Sequence, residues 1–351
     1  MKKYLLILSC IVISCQEEIT LDLPQAEDKL VVEGAIEPGF PPYVILTRNQ
    51  GYFDPINQNT YTNLFVNDVD SVKVWYYNDN GIKISKSLGI LPPEFAEEIT
   101  GEPIPLYTIT DPNELSDIIN NPGNYNFSQA GRTYYLEIQW NNQVITSETT
   151  IPEPTPLDSL WVEQSENADK DFKCDIRAVY SDPADIQNNI LIRSKYLEHW
   201  KRDTISGKIK NEKDPQLILI DAGPDVLVNG ESFETYFPRP KKEGGFPSGA
   251  YNAAHNKIFD NNGAEDTVFL PHDVVLIKFC QIDEPSMKFW RGVVRQSVTN
   301  GNPFAEPMNL ASNIDGGLGI WTGYGAVYYK VPIIKDTTIF EEYTPEIIDI
   351  F

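Results

Sequence analysis

A chain of 351 residues, 41 % of them apolar and 11 % aromatic, carries enough apolar volume for more than one hydrophobic core, which excludes a disordered chain. Its 18 tyrosines, 16 phenylalanines and 26 prolines against three methionines favour strands and loops, because aromatic rings suit pleated surfaces and proline interrupts helices. With 51 acidic and 28 basic residues the net charge is -23, a surface that repels phosphate backbones and excludes nucleic acid as a partner.

The chain opens "MKKYLLILSCIVIS", with Lys2 and Lys3 before a short apolar run that ends at Ser14 and Cys15. This is the pattern of a secretion signal, too short to cross a bilayer, which takes about 20 helical residues. A small residue before a cysteine at the end of the run resembles the lipobox of bacterial lipoproteins, in which cleavage leaves the cysteine first and acylated. By that resemblance residues 1–14 are a lipoprotein signal peptide and Cys15 carries the lipid; an ordinary signal, or Cys10 after Ser9, is the alternative. Each buried methylene of an acyl chain contributes about 0.8 kcal/mol, so two or three chains anchor a protein in the bilayer almost permanently. Glu17 and Glu18 of "CQEE" resemble the acidic export signal that carries surface lipoproteins of Bacteroidota to the outer face of the outer membrane.

Residues 15–28 read as an acidic tether. Beyond it, "KLVVEGAI", "YVILTRN", "VDSVKVWYY", "TYYLEIQW" and "NQVITSETTI" read as strands, joined by turn-forming "NDNGI" and "WNNQ". Short strands at this spacing predict an Ig-like β-sandwich over residues 29–152. The run "IPEPTPLDSL" places Pro152, Pro154 and Pro156 together, which suits an extended spacer and not a central strand, so a second domain is predicted over 153–351. There "SLWVEQSE", "DFKCDIRAVY", "NILIRSKYLE", "QLILIDAG" and "DVVLIKFCQI" read as further strands. One short helix interrupts them, since Met287, Trp290, Val294 and Val298 recur at helical spacing as a core stripe. The fold class is therefore all-β: a sandwich followed by a second β-rich domain, sandwich- or barrel-like, with one short helix.

The stretches "NPFAEPMNLASNIDGGLGIWTGYGA" (302–326) and "KLVVEGAIEPGFPPYVILTRNQGYFDP" (29–55) resemble a family of Bacteroidota outer-membrane lipoproteins known as domain of unknown function 4249. The resemblance extends over nearly the whole mature chain. It implies two β domains and a neighbouring TonB-dependent outer-membrane receptor, and it assigns no catalytic residue. The partners it implies are the lipid bilayer and an outer-membrane β-barrel protein. The triplets that begin at Asp70, Asp158, Asp203, Asp266 and Asp336 resemble the O-glycosylation acceptor of exported proteins in this phylum. That makes Ser71, Ser159, Thr204, Thr267 and Thr337 candidate sites, with ordinary turn chemistry as the alternative.

No constellation points to catalysis, a metal or a cofactor. His199, His255 and His272 lack metal-ligand spacing, and Ser248 near His255 lacks the G-x-S-x-G turn. Asp260, Asn262, Glu265 and Asp266, like Asp68 and Asp70, offer oxygen ligands without an EF-hand loop. The glycines from Gly316 to Gly325 precede a strand-like run, which suits tight backbone packing better than a phosphate loop. Cys174 and Cys280 fall in separate strands; they form either a disulfide, stabilising by about 4–5 kcal/mol for so long a loop, or two buried thiols. These features lead to a non-enzymatic surface lipoprotein that docks on a β-barrel transporter. A glycan- or nutrient-binding lipoprotein is the second expectation, which tryptophans clustered on one outer face would favour over tryptophans in the cores.

Overall fold

A computed structural model of the protein describes residues 27–50, 60–166, 173–184, 186, 188–197, 217–224, 229–240, 249–253, 256–261, 264–269, 273–299, 309–339 and 342–351. The first segment contains β1 (Leu30–Ile36), β2 (Tyr43–Arg48), α1 (Thr60–Leu64), β3 (Ser71–Tyr77), β4 (Lys83–Ile90), α2 (Pro93–Thr100), β5 (Leu106–Thr108), α3 (Pro112–Asn120), β6 (Thr133–Trp140) and β7 (Gln143–Thr150). The second contains β8 (Ser159–Gln164), β9 (Lys173–Ser181), β10 (Asn189–Leu197), β11 (Ile218–Pro224), β12 (Ser232–Phe237), β13 (Tyr251–Asn252), β14 (Asn256–Asn261), β15 (Ala264–Phe269) and β16 (Val274–Ile282). It continues through α4 (Glu284–Thr299), β17 (Leu318–Gly323), β18 (Gly325–Pro332), β19 (Thr337–Ile339) and a closing 3-10 turn, Ile347–Ile350. The chain is all-β with short helices, as its composition predicts.

One eight-stranded sheet runs in the order β17-β1-β2-β5-β4-β3-β6-β7. Its neighbours are antiparallel except β1 and β17, which pair in parallel from Val31 opposite Leu318 to Ile36 opposite Gly323. Alternation builds its core: along β6, Tyr134, Leu136, Ile138 and Trp140 point inward while the residues between them face out. The two edges meet. Thr146 and Asp315 exchange backbone hydrogen bonds of 3.1 and 2.8 Å, and the Gly323 N–H donates to Thr149 Oγ1 at 2.8 Å. The expected sandwich is thus a single sheet rolled into a nearly closed barrel, which satisfies edge groups that an open sheet would leave unpaired.

The sheet built by residues 29–152 also takes in β17, which pairs with β1 and buries Trp321 in the barrel core. The proline run still ends the first set of strands, but its backbone is packed over: a side chain at Gly325 would approach the Pro152 carbonyl at 2.3 Å. The remaining strands form a true sandwich. One sheet is ordered β11-β10-β16-β18, the other β12-β9-β8-β19 with β13 on β9, and the hairpin β14–β15 stands apart. Val162, Ile176, Tyr180, Val275, Phe279, Val327 and Tyr329 fill the space between those sheets.

Three helices were absent from the sequence reading, the five-residue α1 and the longer α2 and α3. In α3, Asp111 caps the first turn by accepting from the Asn113 and Glu114 N–H groups, with Pro112 just inside. In α2, Pro93 opens the helix and Gly101 closes it at φ 78°. The expected helix is present as α4, where Met287, Trp290 and Val294 pack inward, as the spacing predicts. The side chain of Val298 lies outside the described residues.

Candidate functional site

Strand β16, "VVLIKFCQI", is buried on both faces. Val275, Ile277 and Phe279 point into the sandwich core, so the period of two sends Leu276, Lys278 and Cys280 towards the barrel. On the neighbouring strand β10, Arg193 sits directly opposite Lys278, and Lys195 follows two residues on. A row of cations therefore lines the face that meets the barrel, in a strongly acidic protein.

Each cation has its own compensation. Lys278 Nζ lies 2.8 Å from Glu37 Oε2, with the two side chains only 1 % and 4 % exposed. Glu37 also takes the Tyr328 hydroxyl, 3.0 Å from each of its oxygens. Lys195 Nζ pairs with Asp349 at 2.8 Å, and Asp349 accepts from the Tyr343 hydroxyl at 2.7 Å. Arg193 lies over the Trp290 ring at 4.4 Å and donates to the Tyr324 hydroxyl at 3.4 Å, leaving its Nε buried without a hydrogen-bond partner. Burial, reinforced by Glu37, pushes the Tyr328 hydroxyl far above its ordinary pKa; burial and the neighbouring Tyr324 do the same for Tyr43. These phenols remain protonated donors at neutral pH.

The cluster locks the barrel to the sandwich. Its lysines and carboxylates are paired with one another, which suits a fixed joint. The chain terminus covers it. Phe351 packs on Tyr43 with ring centroids 4.5 Å apart, its carbonyl accepts from Leu217 N–H at 3.1 Å, and Ile350 joins Phe40, Leu276 and Tyr328. A separate open cleft of about 840 Å³ lies at the barrel rim, lined by Glu27, Asp28, Lys29, Gln143, Val144, Gly316 and Gly317. It sits where the chain enters β1, and Lys29 there is paired with Glu27 at 3.6 Å.

Cys15, Glu17, Glu18, Thr204, His199, His255, His272, Ser248 and Asn262 lie outside the described residues. Thr267, Asp260, Glu265 and Asp266 fall in the β14–β15 hairpin, whose side chains are not described. Ser71 opens β3 with its Oγ buried and without a partner, so a glycan there requires the strand end to open. Ser159 and Thr337 are half-buried in the paired strands β8 and β19. Cys174 and Cys280 do not form the disulfide: both are free, buried thiols. They sit on different sheets and in different clusters, Cys174 inside the sandwich and Cys280 at the joint. Burial pushes the Cys174 thiol to about 11 and the Cys280 thiol to about 12.

Among the described residues no group of three or more potential ligands could hold a metal ion. Asp68 instead lies 3.9 Å from Arg48. The glycine-rich stretch packs tightly: Gly319 has φ +104°, and a side chain there would meet the Val32 carbonyl at 1.9 Å. The joint itself was missed, although a lysine inside a largely apolar strand is a visible signal for it.

A family described only as domain of unknown function, DUF4249, matches residues 16–329. The chain belongs to that family. The match takes in the barrel, the joint cations and β17, and stops within β18, so the covering C-terminal segment lies beyond it. No curated protein matches the chain.

Proposed function

We propose that this DUF4249 protein is a surface-exposed lipoprotein of the Bacteroidota outer membrane, an accessory subunit that docks on a TonB-dependent transporter or a larger complex built round such a β-barrel. It is not an enzyme. The observation that carries the reading is "SCQEE": a cysteine closing a short apolar run, followed at once by two glutamates. The family match begins at residue 16, immediately after Cys15, in keeping with a mature chain that starts at the cysteine. Among the described residues no helix is long and apolar enough to cross a membrane, which is compatible with attachment through lipid. A barrel and a sandwich joined by a buried ion pair form a stiff body, and a stiff body on a short tether can seat against a partner without a large ordering cost.

Fractionation combined with protease shaving of intact cells tests the anchor and its orientation. The wild-type protein is expected in the outer membrane and cut from outside. Cys15→Ser should lose the membrane, and Glu17→Ala/Glu18→Ala should keep the membrane but become protected. Membrane retention of Cys15→Ser, or protection of the wild type while a known surface protein is cut, overturns the reading.

A further inference from the structure

The outer face of β3, β4 and β6 carries a row of aromatic rings that the barrel core does not use. The residues of β3 alternate, so Lys73, Trp75 and Tyr77 point away from the core while Val72 and Val74 fill it. Trp75 lies directly opposite Tyr135 of β6, their rings near-parallel at 17° with centroids 5.8 Å apart. Tyr77, 54 % exposed, meets Tyr135 edge-on at 5.9 Å. The ammonium of Lys83 lies 3.6 Å from the centre of the Trp75 ring.

The surroundings of this row narrow what fits it. Across β4, β3 and β6 the outward side chains besides the rings are Lys83, Ser85, Ser87, Ser71, Lys73, Thr133, Glu137 and Gln139, with no aliphatic residue among the rings. Lys73 lies opposite Glu137, Lys83 opposite Tyr77 and Glu148 opposite Tyr135, so with two lysines and two glutamates the patch is close to charge-balanced on a molecule of net charge -23. Protein-docking patches are poor in lysine, glutamate and serine at their centres, and phosphate-rich partners need clustered positive charge; this face has neither character. Flat aromatic rings bordered by hydroxyls and by both donors and acceptors suit a neutral sugar, which has apolar C–H faces and a polar rim.

We propose that the outer face of β3, β4 and β6 is a saccharide-binding platform, on which Trp75, Tyr77 and Tyr135 stack a neutral sugar and the flanking side chains hydrogen-bond its hydroxyls. Lys83, exposed and flexible, is the group that moves aside from Trp75 when the sugar stacks. The proposal stands apart from barrel docking, and its test needs no partner protein. Among the described residues the other tryptophans do not build such a face: Trp140, Trp290 and Trp321 are buried, and Trp161 is on the outside of a different sheet, tied to Glu163.

The test is affinity electrophoresis of the full chain in mild detergent, through gels containing soluble starch, β-glucan, xylan, galactomannan or the anionic polymer alginate. At least one neutral polysaccharide is expected to retard the wild type. The apparent affinity should fall about tenfold for Trp75→Ala and for Tyr135→Ala, and stay unchanged for the control Trp161→Ala. Tyr77→Ser, at an exposed strand end, gives a second variant that does not disturb folding and should weaken binding in the same gels. The proposal is overturned if no neutral polysaccharide retards the wild type, if only alginate does, or if the folded variants bind as tightly as the wild type.

Discussion

Glu37 and Lys278 set the cost of a single change at the joint. Burying one charge without its partner costs about 3–5 kcal/mol, because desolvation is then uncompensated. Lys278→Met alone, which strands Glu37 against Tyr328, is therefore expected to lower unfolding free energy by about that amount in chemical denaturation. The double replacement Glu37→Leu/Lys278→Met should recover most of the loss, since a well-packed apolar pair replaces an ion pair at little net cost. The thiols give a second prediction at this scale. If the signal is removed and Cys15 is acylated as proposed, two thiols per chain should react with an aromatic disulfide reagent in denaturant and none in the native protein at pH 8. A disulfide between Cys174 and Cys280 would leave no reactive thiol. Stability should also fall in alkali. The Cys174 thiol rises from 9.0 to about 11 and the Tyr329 hydroxyl from 10.0 to about 12, chiefly through burial. Both are acids held neutral by folding, so their contribution is intact below about pH 9 and is lost as pH rises towards 12; a denaturation midpoint that stays flat over that window would contradict it.

At the level of elements, β17 is the strand on which barrel closure depends. Gly319→Ala places a Cβ against the Val32 carbonyl at a φ that side chains avoid, and should destabilise by about 3 kcal/mol while deprotecting the β1 amides in hydrogen exchange. Removal of residues 342–351 should lower the unfolding midpoint and expose Lys195 to acylating reagents, because Asp349 and the Ile348 carbonyl are its partners. Most strands were legible because one face is wet: "TYYLEIQW" alternates residue by residue. The β17 pairing was not, because Val31 and Leu318 are far apart in sequence and a glycine-rich run has no alternation to read. Helices α2 and α3 were legible in principle, since "DPNELSDIIN" contains an N-cap, a proline and an early glutamate; strand-rich surroundings outweighed those signals. The joint was hidden for a different reason. Arg193 and Lys278 are brought together by the pairing of β10 with β16, and Glu37, just after β1, reaches Lys278 only because the barrel packs on the sandwich.

For the whole molecule, the barrel and sandwich are joined by the consecutive strands β17 and β18, an ion pair and a C-terminal cover, so they are expected to unfold together in one transition rather than as two units. Two calorimetric transitions would contradict that. A single stiff body, held close to the bilayer if Cys15 is acylated as proposed, is what a docking subunit requires. The most direct test is affinity purification of the native chain from cross-linked cells in mild detergent, with its partners identified by mass spectrometry. Recovery of a TonB-dependent β-barrel in near-stoichiometric amount, and its loss when Cys15→Ser releases the chain from the membrane, is the predicted result; recovery of the chain with no outer-membrane barrel would contradict the account.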